Sequence, residues 1–284
     1  MPSVVAEEVA RRAGALRGQA EPIEPRRTKH TCGVDRAGWG ITMAEHTTST
    51  RGAIDRRFYL FIAIAMVAAV VYGFAPSYYL RSLTEADPLP TILHWHGFVF
   101  TLWLVVLLAQ VFLIRTRNPA MHRKLGYAAI AVAIAMIVLG VLATLERAPL
   151  TPDPTFFYSI ALADLVAFAV FVSGGLLWRT KADFHKRFML LATVAVIDAG
   201  IARLPGLSAL LAADPVGWLS WSMVWAVTDI PLLAALVYDL RTRRLVHPVL
   251  LWGGAALVFS QFVRFAITRS EWWQTFSEYL KTLN

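Results

Sequence analysis

Six ionisable side chains stand inside otherwise apolar runs of this sequence: His96, Asp164, Asp198, Arg203, Asp229 and Arg264. Such groups are costly in hydrocarbon, so they mark a functional site or a buried pair. With straight helices rising about 1.5 Å per residue, His96 lies roughly 8 Å from one end of the bundle. Asp164 and Arg203 then lie about 12 Å deep, Asp198 and Asp229 about 18–20 Å, and Arg264 about 6 Å, with Gln261 one turn deeper. The depths predict a polar column with two pairings, Asp164 with Arg203 and Asp198 with Asp229. Two carboxylates side by side in low dielectric cannot both stay ionised, so they share a proton or a cation. The chemistry this allows is a proton relay, a metal or haem site, or a polar substrate cavity. The structural alternative is a set of interhelical hydrogen bonds that lock the bundle.

Histidines supply two further sets. His94 and His96 form a His-x-His pair at the mouth of the column and are the candidate metal or haem ligands. Two residues apart on a regular helix, they point about 200° apart, so both reach one ion only if the helix begins later. His122, His185 and His247 follow three similar basic stretches, Arg115-Thr116-Arg117, Arg179-Thr180-Lys181 and Arg241-Thr242-Arg243. The adjacent cations favour an anionic partner, which makes these histidines, with Arg115, Arg179 and Arg241, candidate lipid or anion contacts on the cytoplasmic face.

The elements that must carry these groups are apolar runs of about 20 residues, the length that crosses a bilayer as helix. They fall at about 58–80, 91–114, 125–145, 156–178, 187–211, 217–238 and 248–268, which predicts an all-α bundle of seven transmembrane helices. The similarity of the three basic connections divides it into one helix plus three parallel helical hairpins. Pro231 should kink the sixth run beside Asp229. Residues 1–50 read as a disordered cytoplasmic tail, with Met43 an alternative natural start, and 271–284 as a short extracytoplasmic tail.

Composition agrees. Of 284 residues 57% are hydrophobic and 16% charged, with a mean hydropathy of +0.55. The net charge of +8 does not point to nucleic acid, because the cations are confined to connections between apolar runs. One set of connections holds fourteen: Arg51, Arg56, Arg57, Arg115, Arg117, Arg123, Lys124, Arg179, Lys181, Lys186, Arg187, Arg241, Arg243 and Arg244. The opposite set holds two, Arg81 and Arg147, beside Glu85, Asp87, Asp153 and Asp214. By the positive-inside rule the N-terminus is cytoplasmic and the C-terminus outside, in a plasma (inner) membrane. The lone cysteine, Cys32, excludes an intrachain disulfide and a CxxC pair. No Walker A, HExxH, GxSxG or dinucleotide fingerprint is present, so no enzyme class is assigned.

With His94-Trp95-His96-Gly97, His122-Arg123-Lys124-Leu125-Gly126 and His185-Lys186-Arg187-Phe188-Met189, the chain resembles a family of uncharacterised bacterial multi-pass membrane proteins over about residues 55–275. The His-Lys-Arg-x-Met stretch is also similar to small membrane proteins of cytochrome oxidase assembly, and the His-Arg-x-x-Gly stretch to b-type cytochrome relatives. With the intramembrane His/Asp site, they lead to the expectation of a redox or cofactor-handling protein (haem, a metal ion or a quinone) or of a role in oxidase assembly. Against haem, only the second run offers histidine on the outer side. A proton-coupled small-molecule transporter and a structural accessory subunit of a membrane complex are the alternatives. The lipid bilayer is the expected partner, beside a membrane-complex partner whose identity the sequence leaves open; nucleic acid is not expected.

The charge asymmetry predicts that topology reporters fused after residues 85, 150 and 214 report the outside, and those after 118, 182 and 244 the cytoplasm. A single inverted fusion breaks the seven-span topology.

Overall fold

The computed structural model describes residues 36–83 and 88–283 and is helical throughout, with no strand among them. By contacts the chain divides into Met1–Ser49 and Thr50–Asn284. Of the first unit residues 36–49 are described and helical, so the last part of the expected disordered tail is helix; the rest of that tail, the alternative start apart, and Cys32 lie outside the described residues. Glu85 and Asp87 do too.

In chain order the helices are α1 (Arg36–Phe74), α2 (Thr91–Arg115), α3 (Pro119–Arg147), α4 (Pro154–Leu177), α5 (Ala182–Val194), α6 (Asp198–Ile201), α7 (Leu207–Ala213), α8 (Trp218–Thr228), α9 (Ile230–Arg243), α10 (Gly254–Ile267) and α11 (Glu271–Lys281). Short π turns follow α1 at Ala75–Tyr79 and precede α10 at Val249–Gly253. Local chemistry sets several starts. Asn118 and Asp153 cap α3 and α4 through their side chains, each followed by proline at the first helical position, where no backbone donor is missed.

Among the described residues five helical segments are long and apolar enough to cross a membrane: Gly52–Tyr79, Thr91–Arg115, Pro119–Leu150, Pro154–Leu177 and Val249–Ile267. A sixth results if α8 and α9, bent by 46° about Asp229, count as one. The bend lies where Pro231 was expected to kink the run.

The expected span over 187–211 is not a continuous helix. It breaks after Val194, resumes as the single turn α6, and breaks again at 202–206 before α7. Thr193, Val194, Val196 and Ile197 are β-branched and lose side-chain freedom in helix, while Pro205 removes a backbone donor. Residues 190–198 are all buried. A stretch apolar on every side belongs inside a bundle, and neighbouring helices cover its irregular backbone. Helix α5 packs on α4, on α9 and on the turn before α10, while α3 packs on both α2 and α4.

The expected tail after 270 is also different. Residues Glu271–Lys281 form an amphipathic helix capped by Ser270. It buries Trp273, Ser277 and Leu280 against α4, with Trp273 Nε1 donating to Thr155 O at 3.0 Å. Trp272 and Tyr279 stay exposed.

One close approach fixes α1 against the broken stretch. A Cβ at Gly73 would stand 2.1 Å from Gly200 O, and one at Gly200 would stand 3.0 Å from Val70 Cα. Both obstacles are backbone. Gly73→Ala should therefore destabilise by the upper part of the about 1–3 kcal/mol typical of overpacking. Gly206→Ala, with nothing within 4 Å, should change little. Thermal unfolding of the two variants in the same detergent checks the contrast.

Candidate functional site

Helices α4, α6, α8 and α10, with the α8–α9 junction, place polar groups around one small cavity. Asp164 reaches it from the middle of α4. Asp198 opens α6, at the first break, and Asp229 occupies the junction of α8 and α9, at the second. Gln261 and Arg264 are three residues apart on α10 and so share a face. Val194, Ala195, Trp225, Thr228 and Leu257 complete the wall.

Arg264, only 3% exposed, organises the polar contacts. Its Nη2 lies 2.6 Å from Asp164 Oδ1 and its Nη1 lies 3.7 Å from Asp198 Oδ2. The guanidinium carbon stands 5.5 Å from the Trp225 ring centre. Gln261 Nε2 donates to Asp229 Oδ2 at 3.0 Å. Several buried atoms are left over: Asp198 Oδ2, Asp229 Oδ1, and Arg264 Nε and Nη1 have no hydrogen-bond partner among the described residues. Next to Trp225, Phe156, Trp218, Trp221 and Phe265 form an aromatic cluster, with Phe156 and Phe265 rings 4.9 Å apart. The cavity holds about 10 Å³, room for about one water molecule.

The structure thus gathers Asp164, Asp198 and Asp229 but not the other two members of the expected intramembrane polar site. Asp164 pairs with Arg264 rather than Arg203. Arg203 follows α6, where the expected helix has already broken. It donates to Ala199 O and lies over the Phe74 ring at 4.4 Å, with no ion pair among the described residues. Depth along a straight helix therefore misplaced it. His96 is half-buried beside Phe100. His94 is exposed, its carbonyl accepting from Tyr78 Oη at 3.2 Å. Both stand on the regular helix α2, which starts at Thr91, so the later start needed for them to converge is not found. Among the described residues no group of three or more His, Cys, Asp or Glu is arranged to hold a metal ion.

The basic end carries a second polar assembly that the sequence reading missed. Three carboxylates, Asp55, Asp183 and Asp239, meet three cations, Lys186, Arg187 and Arg243. Arg187 and Asp239 are fully buried and doubly bonded, Nε to Oδ2 at 3.0 Å and Nη2 to Oδ1. Arg187 Nη1 also donates to Asp183 O at 2.8 Å. Lys186 lies 2.7 Å from Asp55 and 3.0 Å from Asp183, and Arg243 lies 3.2 Å and 2.9 Å from the same two carboxylates. Tyr238 Oη donates to Asp55. Partial burial works against the Asp183 charge, but hydrogen bonds from Arg243 and Lys186 outweigh it and hold that carboxyl well below its usual range.

The histidines of this end are dispersed over its helix starts. His122 and His185 rings lie 6.1 Å apart and perpendicular, and His185 Nδ1 is 2.8 Å from Gly175 O. His247 accepts from Val249 N–H at Nδ1, and its own N–H donates to Asp239. Burial, with the Arg187 charge in the same sense, lowers its pKa. Arg115, Arg179 and Arg241 are exposed around this end. The stretches carrying the resemblance to oxidase-assembly and b-type cytochrome proteins thus open α3 and α5 at the basic end.

No protein-family model matches the chain, and neither curated proteins nor solved structures give a match.

The Asp164–Arg264 pair makes a discriminating prediction. Asp164→Ala strips a buried guanidinium of its closest partner and should cost about 3 kcal/mol, the lower end for a broken buried pair, because Asp198 remains near. Adding Arg264→Ala should recover part of that loss, whereas adding Arg203→Ala should be additive. Denaturant unfolding of the two double-mutant cycles measures both couplings; equal couplings would refute the pairing.

Proposed function

We propose that the chain is a seven-span integral membrane protein, N-terminus cytoplasmic, that moves protons on the Asp164, Asp198 and Asp229 cluster. The observation that carries this reading is an imbalance. Asp164 and Asp198 share the Arg264 guanidinium, and a third carboxylate, Asp229, held by Gln261, lines the same small cavity, with two of the acids on helix breaks. Several apolar helices support membrane residence. Seven spans result when the buried broken stretch from α5 to α7 and the bent α8–α9 pair each count as one.

Charge arithmetic supplies the proton. Three ionised acids and one cation would leave two uncompensated negative charges in low dielectric, at a cost of several kcal/mol each. At least one carboxyl therefore holds a proton, and a proton held only by such a balance leaves when the surroundings change. Discontinuous helices in membrane proteins commonly host coupling sites, because freed backbone groups and a hinge coincide there. Asp198 and Asp229 occupy such positions.

A purely structural role would be served by matched charges, as at the basic end, and gains nothing from excess acid. The redox or cofactor-handling reading finds less support, since a cavity of about 10 Å³ suits a proton or one water molecule rather than a macrocycle or a quinone ring.

Infrared difference spectra of the protein in lipid should show a protonated-carboxyl C=O band at neutral pH, which Asp198→Asn or Asp229→Asn shifts or removes. Proteoliposomes should dissipate an imposed pH gradient only with the unsubstituted cluster. A wild-type spectrum without the band would end the proton-carrying reading.

A further inference from the structure

A second binding feature lies outside the bundle core. A groove of about 510 Å³ runs along α4 toward the basic end, walled by Ala169, Val170, Ser173, Leu177, Trp178 and Phe188. Gly174 forms its floor, where a Cβ would press into the Phe188 ring at 2.8 Å. From Ala169 to Trp178 the groove is about 13 Å long at the helical rise, the shape of a chain rather than of a compact solute. Its wall is almost wholly apolar and faces outward from the helices.

What it holds is indicated by its basic end. The Trp178 ring stacks on Phe188 at 5.5 Å and 12°, and on Phe184 at 6.1 Å and 23°. Tryptophan at a span end marks the headgroup level. Immediately beyond stand Arg179 and Lys181, both exposed. Lys181 Nζ lies over the Phe184 ring at 5.6 Å, at the foot of the same aromatic stack. Arg179 Nη1 donates to Leu176 O at 3.1 Å, which places its guanidinium at the end of α4. Neither cation has a carboxylate partner among the described residues, in contrast to Lys186, Arg187 and Arg243 nearby, all of which do. An apolar slot that ends in two uncompensated cations is complementary to a molecule with an acyl chain and an anionic head.

We infer that this groove seats an anionic phospholipid of the leaflet at the basic end, one acyl chain lying along Ala169–Leu177 and the phosphate held by Arg179 and Lys181. The site is separate from the carboxylate cluster and stands whether or not that cluster carries protons. Each basic residue near a membrane surface contributes about 1 kcal/mol toward an anionic headgroup, about five-fold in affinity.

The test uses the full chain in vesicles of phosphatidylcholine with phosphatidylglycerol as the minor component, released into native mass spectrometry. The wild type should retain one phosphatidylglycerol in excess of its share. Arg179→Ala and Lys181→Ala should each reduce that excess about five-fold while zwitterionic lipid still binds. Ser173→Trp, which fills the groove, should lower retention of both lipids. Equal retention of the two lipids by the wild type would overturn the inference, as would an excess unchanged by the cation variants. A second copy of the chain retained in place of lipid, and lost with Ser173→Trp, would overturn it too. Unaltered thermal unfolding of each variant shows that the readout concerns the groove and not the fold.

Discussion

A guanidinium closed off from water must be surrounded by acceptors, and in this protein that demand falls on Arg264. Four apolar segments contribute around it: α10 carries it, α4 brings Asp164, the broken fifth stretch brings Asp198, and the α8–α9 bend brings Asp229 through Gln261. None of these carboxylates is tolerable in an apolar interior alone, and the cation is intolerable without them. Mutual need of this kind specifies which helices are neighbours far more sharply than apolar packing can, because hydrocarbon-facing surfaces are nearly interchangeable.

The two polar assemblies differ in a way that matters for motion. At the basic end three acids meet three bases, with the Arg187–Asp239 pair wholly enclosed and the others part-exposed. Charge is balanced there, and separating the partners would strand several ions at once, so that end ties α1, α5 and α9 together. At the cavity, acid exceeds base and four buried polar atoms have no hydrogen-bond partner among the described residues. Such a cluster has more than one arrangement of similar energy, differing in where a proton sits. The bundle is thus tied at one end and adjustable in the middle, with an aromatic cluster of Phe156, Trp221 and Phe265 closing off one side.

Much of this was legible in the sequence, and the errors share one cause. Ionisable residues in apolar runs are conspicuous, so Asp164, Asp198 and Asp229 could be singled out, and the structure gathers them around one cavity; Pro231 announced the bend. Their partner was misjudged because depth was measured along unbroken helices. The β-branched residues around Val194 and Pro205 interrupt the fifth run, so Arg203 ends beside Phe74 while Arg264, which straight-helix counting made shallow, reaches inward. The balanced network was missed because its cations also served as topology signals, and nothing in one sequence shows that Asp55, Asp183 and Asp239 meet. The last helix escaped notice because it is too short and polar to span, although Trp273, Ser277 and Leu280 recur on one helical face and mark a docked amphipathic segment.

The Asp164–Arg264 contact also constrains how the chain is made. Asp164 leaves the ribosome long before Arg264, yet both end in the same enclosed place. While the polypeptide is being threaded into the bilayer, the fourth segment carries an acid whose counterion has not been synthesised. It must wait against the insertion machinery or in a water-lined vestibule, or enter lipid in its uncharged form, until α10 arrives. The pair therefore closes only after α10 is made, and a chain truncated before α10 should be recognised by quality-control proteases as unfinished.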